Sequence, residues 1–333
     1  MSRIVVSDPT LRDGNHAIGH SLTEDNVVAY CRAGEAAGIP IIEVGHGNGI
    51  GASSLQVGLA MRPDLSLLAA ARDALENTLL GIHAAPGFAT IERDIAPAIE
   101  IGVDVVRVAS HCTEANTMRK HIEFARLKGR RVYANLMCCH MVPKEVLLAE
   151  AEKAQGYGAD GLILMDSAGA VLPDWVTDTV TLLRDRLTIA VGFHGHNNLS
   201  HAVANSIAAV RAGATIVDGT IMGFGAGAGN AQLEVMVAVL HRLGFETGID
   251  IQKVPMLIQA AQAFAKPPTI SFASLASGLS GVVSAFAKHV HRHAVDYDVR
   301  EWDIYAELGR RGVVAGQEDQ ILEVAQSLQA RRA

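Results

Sequence analysis

The sequence predicts a (β/α)8 TIM barrel followed by a helical C-terminal domain. Three observations support this. Eight short runs rich in Val, Ile and Leu alternate with longer stretches whose apolar residues recur at helical spacing. Polar residues collect just past those runs, as they would at the catalytic mouth of a parallel barrel. Beyond Leu243 the strand-like runs stop and only helical periodicity remains. The expected division is a barrel over residues 1–250 and a helical domain over 251–333. A doubly wound open sheet is the alternative that the same alternation allows.

Taken in order, the first strand is the β-branched run Ile4-Val5-Val6, leading into Asp8-Pro9-Thr10-Leu11-Arg12-Asp13-Gly14-Asn15-His16. Residues 22–37 read as a helix, with Thr23 as N-cap, Glu24 and Asp25 in the first turn, and Gly38 as the stop. A strand over 41–44 carries Glu43 and delivers Gly45-His46-Gly47. The segment 52–76 reads as mostly helical, interrupted near Pro63. Strands over 78–84, 104–109, 131–137, 161–165, 188–193 and 216–219 complete the set of eight. Between them, helices are expected over 91–101, 117–128, 144–157, 173–187 (with Pro173 at its start) and 199–212. The tail is expected as helices over 251–265, 279–295, 299–309 and 317–330, broken at Pro267-Pro268.

Composition narrows the function. Hydrophobic residues make up 49% of the 333 and charged residues 19%, with a mean hydropathy of +0.22. Buried parallel strands explain such values, because both faces of the sheet are covered. Every apolar run is interrupted by charge, Gly or His before it reaches membrane-spanning length. No basic-then-apolar leader is read at the N-terminus, so the cytoplasm is the expected compartment. A net charge of −7 without a basic cluster argues against nucleic acid and anionic membrane surfaces. Four cysteines, two of them adjacent, form no disulfide framework in a chain this long and read as small buried residues.

The chemistry concentrates at the strand ends. Arg12 is a permanent planar cation, Asp13 a hard oxygen ligand, and His16 a group that exchanges protons near neutrality. His194 and His196, two apart at a strand end, share one face. With Asp13 they give two nitrogens and one oxygen, a facial set that leaves coordination positions open and suits Mn, Fe, Co or Zn. Core histidines bonded to backbone carbonyls are the competing interpretation. The glycine run 223–229 lacks the Lys of a P-loop and follows the last strand, so close backbone approach to the barrel mouth, with Asn230 as a polar contact, fits it better.

The combination of Asp8-x-Thr10-Leu11-Arg12-Asp13-Gly14 with His194-x-His196 resembles the DRE-TIM, or HMG-CoA-lyase-like, superfamily. Within it the chain is most similar to the 4-hydroxy-2-oxovalerate aldolases. The likeness extends through His16-Ala17-Ile18, residues 110–115, Asp166-Ser167-Ala168-Gly169-Ala170, His196-Asn197-Asn198-Leu199-Ser200 and residues 225–231. Glu307-Leu308-Gly309-Arg310-Arg311 is similar to that family's C-terminal communication domain.

The resemblance implies reversible cleavage of a 4-hydroxy-2-oxo acid to pyruvate, or a close 2-oxo acid, and an aldehyde. It implies a divalent metal on Asp13, His194 and His196, Mn2+ foremost, with Co2+, Mg2+ and Zn2+ as alternatives. Arg12 would stabilise the developing negative charge, and His16 would take the C4 hydroxyl proton. Ser167 would contact the carboxylate or enolate oxygen. His46 and His194 are further expected substrate contacts. It also implies a homo-oligomer and an acylating aldehyde dehydrogenase bound through the tail.

Three departures concern the aldehyde pocket. Val283, in Gly281-Val282-Val283-Ser284, stands where the family carries Tyr. The family's Leu-Leu-Leu-Pro-Gly reads His83-Ala84-Ala85-Pro86-Gly87, and its His-Gly-Asp-Gly reads His46-Gly47-Asn48-Gly49. Lost bulk at Ala85 and Val283 predicts room for an aldehyde larger than acetaldehyde, an aromatic one included. The rival activities are a Claisen-type acyl-CoA condensation or lyase of the same superfamily, and a non-catalytic scaffold for a dehydrogenase.

Overall fold

The computed structural model describes residues 3–331; residues 1, 2, 332 and 333, at the outer ends of the two expected domains, lie outside it. Eight parallel strands close into a barrel in sequential order. They are β1 (Val5–Leu11), β2 (Ile41–Val44), β3 (Leu79–Ala84), β4 (Val105–His111), β5 (Arg131–Met137), β6 (Gly161–Asp166), β7 (Ala190–Gly195) and β8 (Ile216–Asp218). The first strand extends five residues beyond the expected Val6, and its register shifts between Asp8 and Leu11. That irregularity brings Arg12 and Asp13 onto the mouth. The open-sheet alternative is excluded by the pairing of β1 with β8.

The surrounding helices are α1 (Glu24–Ala37), α2 (Asp64–Ala74), α3 (Ala96–Ile101), α4 (Ala115–Leu127), α5 (Lys144–Gly156), α6 (Pro173–Arg186), α7 (Ala202–Arg211), α8 (Leu233–Arg242) and α9 (Val254–Gln262). The Thr23 hydroxyl accepts from the Asn26 amide at 3.3 Å and caps α1 as expected. The expected helix over 52–76 is shorter. Residues 52–62 form a loop with a Ser54–Gly58 bridge, and the chain turns helical only past Pro63. Helix α8 supplies the eighth α unit, which the sequence pattern leaves unassigned.

Inside the barrel, Ile41, Val105, Tyr133, Ile163, Met165 and Ile216 form an apolar plug. Above it lies a polar layer of Ser7, Glu43, Arg107, Asn135 and Asp218, all buried. The tail comprises α10 (Phe272–Ser280), α11 (Ala287–Asp296), α12 (Glu301–Arg311) and α13 (Asp319–Ala330). Its expected helix over 279–295 is instead two, because Gly281 adopts a left-handed φ of 66° and ends α10. The tail has its own core around Phe286, Val290, Ile304, Tyr305, Leu308, Ile321 and Val324. Val254, Leu257 and Ala261 of α9 belong instead to the barrel's core. No helix among the described residues is long and apolar enough to cross a membrane.

Candidate metal centre at the barrel mouth

Asp13, His194 and His196 meet at the C-terminal mouth, each buried. Asp13 opens a 3-10 turn past β1, while β7 carries His194 near its end and His196 just beyond. The Asp13 Oδ2 atom lies 3.4 Å from His194 Nε2 and 4.0 Å from His196 Nε2. Ligands bound at about 2.0–2.2 Å and roughly 90–110° apart stand about 3–3.6 Å from one another, so small shifts would close this set on one ion. His194 Nε2 is buried with no hydrogen-bond partner among the described residues. Its other nitrogen bonds Asp218 Oδ2 at 2.9 Å, which fixes the ring and leaves Nε2 aimed at the carboxylate. The donor set therefore fits a divalent cation.

The electrostatics agree. Burial opposes ionisation of Asp13, but Arg12 and the two imidazoles outweigh it and hold the carboxyl well below its ordinary range. Burial drives His196 down to about 4, against the pull of Asp13. For His194, the carboxylates of Asp13 and Asp218 overcome burial and raise the value. Asn230, at the end of the glycine run, donates its Nδ2 to Asp13 Oδ2 at 2.9 Å and to Phe224 O at 2.8 Å. Its placement depends on Gly229, whose φ is +80° and where any Cβ would collide with the Gly223 carbonyl.

Arg12 is 3% exposed. Its Nε donates to Glu43 Oε2 at 3.2 Å and its Nη1 to Gly47 O at 3.4 Å. Nη2 is buried without a partner among the described residues, so one donor remains for a substrate oxygen. The His16 ring lies over Gly47, where a Cβ would come within 2.5 Å of it. Burial lowers the His16 value, Asp13 opposes this, and Arg12 and His46 reinforce it. His83 also belongs to this mouth: burial and Arg12 hold it well below its ordinary range, and its Nδ1 has no partner among the described residues.

Other expected contacts are placed differently. Both ring nitrogens of His46 are taken: Nδ1 accepts from the Asn48 amide at 3.1 Å and Nε2 meets Gly58 O at 3.0 Å. The ring stacks on His20 at 3.7 Å. His46 thus orders its own loop, with both ring nitrogens engaged on its backbone. The Ser167 hydroxyl accepts from the Cys138 amide at 3.0 Å, tying the loop after β6 to the one after β5. Val283 is half-buried between α10 and α11 and packs on the tail's core, while Ala85 is buried in the turn after β3. The cysteine thiols are raised by burial, Cys138 to about 11, which suits inert core residues.

The stacked pair makes the loop acid-sensitive. Burial and the neighbouring His46, His16 and Lys288 press His20 down to about 3, and burial lowers His46. Folding therefore favours the neutral rings, so their contribution is complete above about pH 6.5 and is lost as pH falls toward the folded values. Thermal melts should show the midpoint falling between about pH 6.5 and 4. The decline should be shallower in His20→Phe, which keeps the stack without the proton. Equal slopes in the two proteins would count against this account.

The barrel and tail are matched by two family models, "HMGL-like" over residues 3–260 and "DmpG-like communication domain" over 268–330. Proteins named 4-hydroxy-2-oxovalerate aldolase from Pectobacterium atrosepticum and Spirochaeta aurantia are 52% and 53% identical, over 99% and 98% of this chain and 96% and 97% of theirs. The chain belongs to the 4-hydroxy-2-oxovalerate aldolase family. Among solved structures, the carboxyl transferase domain of Rhizobium etli pyruvate carboxylase, with oxamate and biotin, superposes with a TM-score of 0.83 at 16% identity. That match covers 99% of this chain and 61% of the other, and at such identity it speaks for fold alone. The Pectobacterium and Spirochaeta aldolases match this chain through barrel and tail alike.

The tail is fastened to the mouth. Asn198, two residues past His196, donates its Nδ2 to Ser274 O at 3.0 Å, Ser277 Oγ at 3.2 Å and Ser284 Oγ at 3.0 Å. His140 Nε2 meets Gly281 O at 2.8 Å. The sequence pattern gives no sign of these contacts, nor of the charged layer beneath the mouth. The one clue it offers is a charged residue inside an apolar strand, as with Glu43 and Arg107.

Proposed function

We propose that this chain is a divalent-metal-dependent class II pyruvate aldolase. Its reaction is the reversible cleavage of a 4-hydroxy-2-oxo acid to pyruvate, or a close 2-oxo acid, and an aldehyde. The observation that supports it best is the convergence of Asp13, His194 and His196 beside the free Nη2 of Arg12. The names carried by the full-length relatives point the same way. Asp13, His194 and His196 would hold the metal, Mn2+ in the first place. When bound, that ion supplies Lewis-acid stabilisation of negative charge on the substrate. His16, kept neutral, takes the proton of the C4 hydroxyl as the C3–C4 bond opens and its electron pair passes into the enolate, which becomes pyruvate on taking a proton at C3 from solvent; in the synthetic direction His16 returns its proton to the new C4 oxygen. Arg12, held by Glu43, presents Nη2–H to the charge that develops on the 2-oxo oxygen. Ser167 stands as a further contact to the carboxylate.

The direct test is pyruvate release from 4-hydroxy-2-oxovalerate by the purified protein, with Mn2+ and after chelation. Release that requires the metal supports the assignment and separates it from acyl-CoA chemistry and from a silent scaffold. No release with Mn2+ present overturns it.

The aldehyde pocket is read as enlarged, since Ala85 and Val283 replace bulkier family residues. The condensation rate with pyruvate should therefore favour propanal, butanal or benzaldehyde over acetaldehyde in kcat/KM. A clear preference for acetaldehyde would reverse this. The tail is read as the docking domain for an acylating aldehyde dehydrogenase, in a cytoplasmic homo-oligomer. Co-purification of the intact chain with such a dehydrogenase is expected, and its failure with the family's own partner enzymes would count against it. The domain boundary is drawn between α9 and α10 rather than at 250, because α9 packs with the barrel.

A further inference from the structure

We infer that Arg107 is a positioning residue that couples Arg12 to His194 through two buried carboxylates. The inference rests on the metal-centre reading of this mouth. Arg107 rises from the middle of β4 and is fully buried, as are its partners. One arm of its guanidinium, Nη1, pairs with Glu43 Oε1 and lies 3.2 Å from Ser7 Oγ. The other arm, Nη2, lies 2.7 Å from Asp218 Oδ2. Each carboxylate then reaches upward to the mouth. Glu43 Oε2 receives Arg12 Nε at 3.2 Å, and Asp218 Oδ2 receives His194 Nδ1 at 2.9 Å. The result is an unbroken chain from the cation expected to face the substrate to a candidate metal ligand, with every member buried.

A planar guanidinium suits this task because its two arms fix two carboxylates at a set separation, which a Lys ammonium cannot do. Stability alone does not account for the layer. Buried ion networks are often no better than well-packed apolar residues, and barrel interiors are commonly filled by branched aliphatics. This barrel follows that rule in its lower layer and departs from it directly beneath the mouth.

The test measures Mn2+ affinity as well as turnover. The full-length protein and the near-isosteric variants Glu43→Gln and Asp218→Asn would be titrated with Mn2+, free ion being read by electron paramagnetic resonance. Far-UV circular dichroism and a thermal melt would confirm folding. Asp218→Asn should weaken Mn2+ binding by about 10–100-fold, the range for outer-shell partners of a ligating His. Glu43 touches none of Asp13, His194 and His196, but Arg12, which it holds, lies 3.7 Å from Asp13 Oδ1, so an effect passed through Arg12 alone would add to that of Asp218→Asn rather than coincide with it. The relay instead predicts about a tenfold loss in Glu43→Gln, transmitted through Arg107. At saturating Mn2+, Glu43→Gln should retain a deficit in kcat, because Arg12 has lost its support. The double variant should bind Mn2+ no worse than Asp218→Asn, since either change breaks the same connection.

A folded Glu43→Gln that binds Mn2+ within twofold of the unaltered protein overturns the relay, as do strictly multiplicative losses. If Glu43→Gln does not fold, Arg107→Lys, which keeps the charge, is held to the same tenfold loss and the same twofold threshold. An unaltered protein that neither binds Mn2+ nor releases pyruvate overturns the metal-centre reading itself. Silent variants of an active enzyme overturn only the relay.

Discussion

Asp13→Ala should reduce metal-dependent cleavage by about a thousandfold or more. Lewis-acid stabilisation of developing charge is worth several kcal/mol, and about 4 kcal/mol corresponds to three powers of ten in rate. The carboxylate is also the shared neighbour of both imidazoles, through the single oxygen Oδ2. Without it, two imidazole nitrogens remain and the set has no anionic ligand. The fold should survive the change. Arg12 keeps its bond to Glu43, and the Asn230 amide keeps Phe224 O at 2.8 Å. The measurements are Mn2+ content after gel filtration and pyruvate release with and without chelator. An Asp13→Ala protein that still cleaves substrate in chelator would remove the basis of the proposed mechanism.

The barrel and the candidate ligand set are legible in the sequence for one physical reason. Parallel strands in a closed barrel all end on one face, so residues just past successive strands become neighbours however far apart they stand in the chain. Asp13 and His194 need no other clue. What stays hidden depends on side-chain reach rather than on periodicity. Arg107 meets Glu43 across 64 positions and Asp218 across 111, and nothing local in any of the three strands announces the pairing. The partners of His46 are hidden for a related reason. Its position past β2 does put it near the mouth, but the loop backbone at Asn48 and Gly58 occupies both of its nitrogens. Most of helix α10 lies outside the expected elements, although its face binds the loop that carries His196.

These placements make the active face a joint product of barrel and tail. Asn198 sits between His196 and three groups of the α10–α11 segment, and a Cβ on Gly227 of the glycine run would meet Ser284 at 2.5 Å. The loops that carry His196 and Asn230 are therefore packed against the tail, which argues against a barrel that functions independently of it.

His16→Ala should lower kcat/KM by about 10²–10⁴-fold, the usual worth of a positioned general base. The more telling result is the change in pH profile. A base works in its neutral form, and burial together with Arg12 and His46 lowers the His16 value despite the pull of Asp13. Protonation is thus postponed to lower pH than for a free imidazole at about 6.5. With Mn2+ saturating, activity should hold as pH falls through about 6.5 and drop only below it. In His16→Ala that acid limb should disappear, leaving a low and flatter profile. His20 cannot take over the role: its ring centroid is 5.0 Å away, and it is pressed to about 3, too weak a base to accept an alcohol proton efficiently. Its own stack with His46 also fixes its plane. A His16→Ala enzyme within fivefold of the unaltered protein, or one that keeps the acid limb, would assign the proton to another group.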